Sequence, residues 1–323
     1  MKGAMKKYQK RIEHIRVRGD MTVDELIQEF GKCGVFGAGR VAEAVDIFYE
    51  MVSRDDTTTY LGLAGALVPG GMRQVITDLI RDRLIDVLVT TGANMVHDMI
   101  EAFGASHYRG SAIVDDAELY RLQIDRIYDV FLYERDFSMY DERFIELLED
   151  LPSRQMSIRE FLYEVGKRID DPNSILRAAA EEEVPVFCPA IADSAIGLDM
   201  WKFKLKHGPD LYVGAFADLH DFMEIVRKAK RNGAIMLGGG VPKNFILQAM
   251  IVVKRGGYDY AVQITMDRPE PGGLSGATLE EAKSWGKVSN RARAVQVIGD
   301  ASIIFPLMVA AVRERLAKSK RKR

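Results

Sequence analysis

Apolar positions follow two rhythms along this chain. Near the start they recur at helical spacing. Thr22-Val-Asp-Glu25 has the form of a capping box, which predicts an amphipathic helix from Val23 to about Phe30. A glycine-rich break, Gly31 to Gly39, precedes a second predicted helix, Arg40 to Met51. The rhythm then shifts to short unbroken apolar runs. Thr58 to Ala64 reads as a buried strand, followed by a loop of small residues from Gly65 to Gly71 and a helix to about Asp82. Ile85 to Thr91 is a second buried strand, and Gly92-Ala-Asn94 turns the chain into a helix through Phe103.

A recurring strand, short loop and helix predicts an α/β fold: a doubly wound, mostly parallel sheet with helices on both faces. Residues 105–180 are more polar and read as mostly helical or irregular. The α/β rhythm then resumes, with strand candidates at Val184–Ala190, Leu211–Ala215, Ala234–Leu237, Tyr260–Thr265 and Ala294–Ile298, and a last helix from Ile303 to about Ala317. No repeat or linker demands a division. Residues 1–323 are therefore expected to form one domain, with an N-terminal extension over 1–20 and a flexible basic tail over 318–323.

Composition narrows the class. The 47% apolar and 28% charged content is that of a soluble globular protein, and 323 residues suffice for one large α/β domain or two small ones. A net charge of −2 gives no reason to expect a nucleic-acid partner, and the basic residues of the tail read as a solvated end. Cys33 and Cys188 are too few for a disulfide framework or a zinc site. The first residues lack the apolar stretch of a secretory signal, and no apolar run is long enough for a membrane span. The cytoplasm is the expected compartment.

Chemistry is expected in the loops that follow buried parallel strands, where open α/β sheets bind ligands. Ala64–Gly71, Thr90–Asn94, Gly238–Gly240 and Gly299–Ala301 are rich in small residues that let backbone amides approach a phosphate. Gly37-Ala-Gly39-Arg-Val-Ala42 resembles a dinucleotide fingerprint, but helical periodicity stands where its strand should be, so a helix–helix turn is the better reading. The five histidines show no metal-ligand spacing, and there is no nucleophile elbow and no Walker loop. The densest chemical cluster runs from Leu274 to Lys287. Glu281 and Trp285 lie four apart and share a helix face, which suits an ammonium ligand through charge pairing and cation–π attraction. Lys287 follows Gly286 at the expected helix end, where desolvation next to another cation would make its amine a nucleophile. The same spacing also suits a surface lysine beside a packing tryptophan.

At this cluster the chain resembles the deoxyhypusine synthase family. Ser275-Gly-Ala277, Glu281-Ala-Lys-Ser-Trp-Gly-Lys287 and Gly299-Asp-Ala-Ser-Ile-Ile-Phe-Pro306 carry the resemblance, with Asp86–Thr91, Pro189–Asp193 and Leu237–Lys243. The resemblance implies a homotetramer with active sites between subunits and NAD as an internal redox cofactor. It implies oxidation of spermidine, capture of a four-carbon fragment as an imine on Lys287, and transfer to a lysine of a translation factor. Gly65, Ala66, Pro69, Thr91, Gly92, Asp193, Gly239, Asp300 and Ala301 match positions that hold NAD. Glu281 and Trp285 match groups around the amine, with Asn244, Gln248, His97 and Asp199 as further substrate positions.

The chain also departs from the eukaryotic pattern. Asn244 and Phe245 replace a histidine pair that includes the expected proton acceptor, and a neutral amide cannot serve as a base. Leu274 and Leu198 stand at carboxylate positions, the latter beside Asp199, and His97 replaces a glutamate near the nicotinamide ribose. The pattern is similar to the archaeal and bacterial branch. Three readings follow: a protein-modifying aminobutyl transferase, a homospermidine synthase or other small-molecule polyamine enzyme on the same scaffold, and an NAD-binding regulator without turnover.

Overall fold

The computed structural model describes residues 11–208 and 211–320. Residues 11–20 carry no helix or strand, and residues 321–323 of the basic tail lie outside the described residues. In chain order the elements are α1 (Val23–Cys33), α2 (Phe36–Val52), β1 (Thr57–Leu63), α3 (Arg73–Arg81), β2 (Val87–Val89), α4 (Gly92–Ala102), β3 (Tyr108–Arg109), α5 (Asp116–Arg121), β4 (Ile124–Ile127), β5 (Val130–Tyr133), α6 (Glu134–Glu149) and β6 (Gln155–Ser157). There follow α7 (Ile158–Gly166), α8 (Ile175–Glu181), β7 (Val186–Phe187), α9 (Ala195–His207), β8 (Tyr212–Gly214), α10 (Ala215–Lys228), β9 (Arg231–Leu237), α11 (Gly240–Val253), β10 (Tyr258–Thr265), α12 (Leu279–Ser284), β11 (Val288–Ile298) and α13 (Ala301–Lys320).

Six strands form one parallel sheet in the order β11-β10-β9-β1-β2-β7. The inner strands β1, β2, β9 and β10 are buried on both faces, which is why they read as continuous apolar runs, whereas β11 at the edge is partly exposed. Alternate side chains serve different cores. Leu61 and Leu63 of β1, Ile235 and Leu237 of β9 and Val262 and Ile264 of β10 join the cluster that includes α2 and α13. Tyr60, Ala234, Met236 and Ala261 point to the cluster that includes Phe222 of α10 and Phe245 and Ile246 of α11. From β1 the chain moves outward through β2 to β7, and from β9 it moves the other way through β10 to β11. The order therefore reverses between β1 and β9, which is the place where such sheets open a crevice.

Several sequence expectations need correction. Leu211–Ala215 does not join the main sheet; its strand β8 pairs with β6 in a separate two-stranded sheet. The polar stretch after residue 105 holds a three-stranded sheet, β3-β5-β4. These strands are short and carry little apolar alternation, and the hairpin between β4 and β5 turns at Tyr128, with φ 55°, where no glycine or asparagine marks it. The second helix starts at Phe36, so Gly37-Ala-Gly39 sits inside α2 and no strand precedes it. The last helix extends through Lys320 into the basic stretch, where Lys318 Nζ lies 3.5 Å from Asp24 Oδ2. Among the described residues no helix is long and apolar enough to cross a membrane.

Candidate active site

The four glycine-rich loops follow β1, β2, β9 and β11 and so share the C-terminal edge of the sheet. The loops after β1 and β9 flank the switch point, where Ala64 N donates to Leu237 O at 2.9 Å. The chain from Gly65 through Pro69 is held to α4 by Asn94, a fully buried residue whose Oδ1 accepts from Leu67 N at 3.2 Å and Val68 N at 3.3 Å. Asn94 closes the sequence-predicted loop, but its role as a clamp between two loops was not legible there. Thr91 and Gly239 precede α4 and α11 without capping them by their own side chains; the first amides of α4 stay free of side-chain acceptors, whereas Gly240 N of α11 is taken by Ser275 Oγ. Asp193, after β7, and Asp300, after β11, are exposed on the same edge, and the Asp300 carboxylate accepts from Ser302 N and Oγ, both at 2.8 Å.

A second set of contacts joins the Gly238–Gly240 loop to the loop after β10. Gln263, fully buried on β10, donates from Nε2 to Gly238 O at 3.0 Å and to Ser275 O at 2.9 Å. Gly240 N donates to Ser275 Oγ at 2.9 Å. The approach is close enough that a Cβ on Gly239 would stand 2.4 Å from Ser275 Cα. Gly239→Ala is accordingly expected to cost about 1–3 kcal/mol, because two backbones must part. The midpoint of urea unfolding checks this, and an unchanged midpoint would mean the loops separate freely.

Lys287 is placed by the chain reversal that ends α12. Thr278 Oγ1 caps the helix by accepting from Glu281 N at 3.0 Å, and Trp285 follows its last turn. Gly286 takes φ 67°, a left-handed conformation suited to glycine, and delivers Lys287 to the start of β11. Lys287, Trp285, Glu281, Asn244, Leu274 and Lys243 line one cavity of about 160 Å³. The Lys287 amine lies 3.4 Å from Asn244 Oδ1 and 5.8 Å from the Trp285 ring centroid. Asn244 Nδ2 in turn donates to Gln248 Oε1 at 3.0 Å. Glu281, Trp285, Asn244, Gln248 and Lys287 are thus brought together. Trp285 is 64% exposed in the single chain, so the cavity is open on the indole side.

Two predicted site residues are elsewhere. His97 lies on α4 with its ring buried, where Nδ1 meets His107 Nε2 at 2.9 Å, and His107 Nδ1 meets Glu101 Oε1 at 2.7 Å. Burial pushes His97 down to about 4, so the imidazole is neutral near pH 7. Asp199 points inward from α9 and binds Lys202 Nζ at 2.9 Å, whereas its neighbour Leu198 is exposed. Neither His97 nor Asp199 lines the Lys287 cavity in the single chain. A roomier cavity of about 610 Å³ opens around Val184, Pro185 and Val186, at the leading end of β7, and therefore on the opposite sheet edge from these loops.

The sequence and the fold have counterparts among known proteins. The family model described as deoxyhypusine synthase matches residues 25–312. A relative from Methanosarcina acetivorans named "Probable deoxyhypusine synthase 1" is 55% identical over 95% of this chain and 96% of its own length. One from Archaeoglobus fulgidus with the same name is 44% identical over 96% of this chain and 100% of its own length. A crystal structure of a candidate deoxyhypusine synthase from Entamoeba histolytica superposes with a TM-score of 0.64 at 18% identity, over 93% of this chain and 96% of that one, which shows a shared fold. With its sequence matched over nearly its whole length and its fold shared, the chain belongs to the deoxyhypusine synthase family of transferases.

Proposed function

We propose that this chain moves the four-carbon amine fragment of spermidine, by way of an imine on Lys287, to a lysine of a translation factor, with NAD as the internal redox carrier. The reading also takes the enzyme to be a cytoplasmic homotetramer. The observation that carries it is the Lys287 amine lining one cavity with the Glu281 carboxylate and the Trp285 indole. A carboxylate and an aromatic face are what a polyamine ammonium needs on leaving water.

The crevice at the switch point fits a dinucleotide. A Cβ on Gly65 or Gly70 would meet no atom within 4 Å, so the backbone there is open to a close ligand. Free amides at the start of α4 suit a pyrophosphate, and the Asp193 and Asp300 carboxylates suit ribose hydroxyls. When bound, the nicotinamide would accept a hydride from the carbon beside the secondary nitrogen of spermidine and return it after transfer. Lys287 Nζ then adds to the oxidised carbon, the three-carbon diamine leaves, and the fragment stays as an imine. Asn244 Oδ1 orients the amine, and Gln248 holds the Asn244 amide. The exposed stripe of Leu198, Trp201 and Leu205 on α9, and the exposed Trp285, are large apolar groups that association of subunits would cover.

One observation favours a second reading. Among the described residues lining the cavity Glu281 is the only carboxylate, since Leu274 replaces another and Leu198 faces away from Asp199. A smaller amine acceptor, giving homospermidine, needs fewer charge partners. The assay supplies spermidine and NAD with either putrescine or the purified translation factor. Labelling of the factor is the expected result, and homospermidine as sole product would establish the second reading. An absence of reduced nicotinamide with every polyamine tried would refute both and leave an NAD-binding regulator.

A further inference from the structure

Lys243 is a second lysine in the Lys287 cavity. It sits one turn into α11 with 3% of its surface exposed. Its amine donates to Leu274 O at 3.2 Å and to Ala277 O at 2.5 Å. A neutral amine has two N–H donors and one lone pair. Two carbonyls can therefore satisfy both protons of neutral Lys243 and leave its lone pair for a partner in the cavity that the residue lines. The neighbouring side chain that faces the same space, Asn244, has no basic atom.

We infer that Lys243 is the proton acceptor for the amine substrate in the Lys287 cavity. The inference rests on the proposed amine oxidation. In the step, an N–H bond of the substrate ammonium breaks, the proton passes to the lone pair of Lys243 Nζ, and the electron pair stays on the substrate nitrogen. Lys243 becomes an ammonium and the substrate a neutral amine, the form that can be oxidised at the adjacent carbon. Charge and atoms balance without a further reagent.

The surroundings suit the task. Burial pushes Lys243 down to about 8, opposed by Glu281 on α12 and Asp267 after β10 and reinforced by Lys287 at the start of β11. The strands β1 and β2 under α11 carry no charged residue, and the Arg231 of β9 is at the far end of its strand. On α10, Asp218 Oδ1 accepts from Arg159 N, Asp221 binds the Arg159 guanidinium, Glu224 pairs with Arg227, and Arg227 and Lys228 lie in its last turn. His220, also on α10, lines the cavity at the leading end of β7. A base in this range works near neutral pH, and its neutral fraction grows as pH rises through about 8.

Lys243→Arg separates proton transfer from a structural clamp. A guanidinium can still donate to Leu274 O and Ala277 O but does not give up its proton. The first-turnover formation of reduced nicotinamide should fall about 10²–10⁴-fold, with NAD affinity unchanged and the wild-type rise through about pH 8 absent. Small primary amines added to Lys243→Ala should restore part of the rate in proportion to their basicity. Independently of turnover, the ¹³Cε resonance of Lys243, assigned by its loss in Lys243→Arg, should titrate near 8 in the wild-type protein. A Lys243→Arg rate close to wild type with the pH rise intact would overturn the inference, as would a Lys243 amine that titrates like a free lysine. A wild-type protein that forms no reduced nicotinamide from any polyamine would instead overturn the proposed function, and the resonance would still report on Lys243.

Discussion

Lys287→Arg is expected to abolish covalent capture of the spermidine fragment while leaving the fold in place. Arginine keeps a cation beside Asn244 Oδ1 and the Trp285 ring, so packing and charge around the cavity change little. What it cannot do is shed a proton and add to a C=N carbon, because the guanidinium stays charged and its nitrogens are delocalised. Removal of a covalent nucleophile costs on the order of 10⁴–10⁶ in turnover where no neighbour substitutes. Lys243 lines the same cavity, but its amine is tethered to two carbonyls on a buried side chain, so it can take a proton that the substrate brings to its lone pair but cannot shift to bond a substrate carbon. The measurement is borohydride trapping with spermidine labelled in its four-carbon part, followed by mass analysis of the peptide that contains residue 287. The wild type should carry the fragment there and the variant should carry none. A fragment trapped on another residue of the wild-type protein would remove Lys287 from the centre of the chemistry. Oxidation without capture in the variant, seen as reduced nicotinamide in at most one equivalent, would place the lysine after the redox step, as proposed.

The strands of the main sheet were legible because burial on both faces leaves continuous apolar runs such as Thr58–Ala64 and Tyr260–Thr265. Their following loops were legible because glycines mark them. That Lys287, Glu281 and Trp285 would line one cavity was legible because chain reversal at Gly286 keeps residues close in sequence close in space. Lys243 and Asn94 show what periodicity hides. Each is buried among apolar neighbours on its helix, and its value comes from contacts with distant loops: Lys243 with Leu274 and Ala277, Asn94 with Leu67 and Val68. A polar residue inside an apolar helix face was the available signal, since burial of such a group is costly unless it is bonded. Asp199 shows the reverse. Adjacency to Leu198 suggested a displaced carboxylate, but neighbours on a helix diverge by about 100°, and Asp199 turned into the interior to meet Lys202. The β4–β5 hairpin stayed hidden because Tyr128 bears the turn without a glycine.

Asp98→Ala is expected to give the largest loss of stability, about 3–5 kcal/mol. Asp98 follows His97 on α4, is fully buried, and accepts from Arg73 Nε at 2.7 Å, Ser174 Oγ at 2.7 Å, Ile175 N at 3.0 Å and Leu176 N at 3.1 Å. One carboxylate thereby serves the first amides of α8 and fixes α4 against α3 and α8. Truncation leaves two amides and a hydroxyl without their acceptor in a dry interior. Arg73 would keep Asp171 at 2.7 Å and Glu101 at 3.5 Å, which bounds the damage on that side. Asp98→Asn should cost less, about 1–3 kcal/mol, since the amide oxygen still accepts but its nitrogen meets donors. If the loss comes from stranding a charge, Asp98→Ala with Arg73→Leu should lose less than the two single variants added together. If it comes from the orphaned amides of α8, the two losses should add. Urea unfolding of the four proteins decides between these causes, and a loss under about 1 kcal/mol for Asp98→Ala would show that water enters and replaces the carboxylate. Because Asn94 is one turn earlier on the same helix and holds the Gly65–Pro69 segment, any tilt of α4 moves that loop as well. Under the proposed function, weakened NAD binding should therefore accompany the lost stability in Asp98→Ala, although no atom of Asp98 is exposed to the crevice.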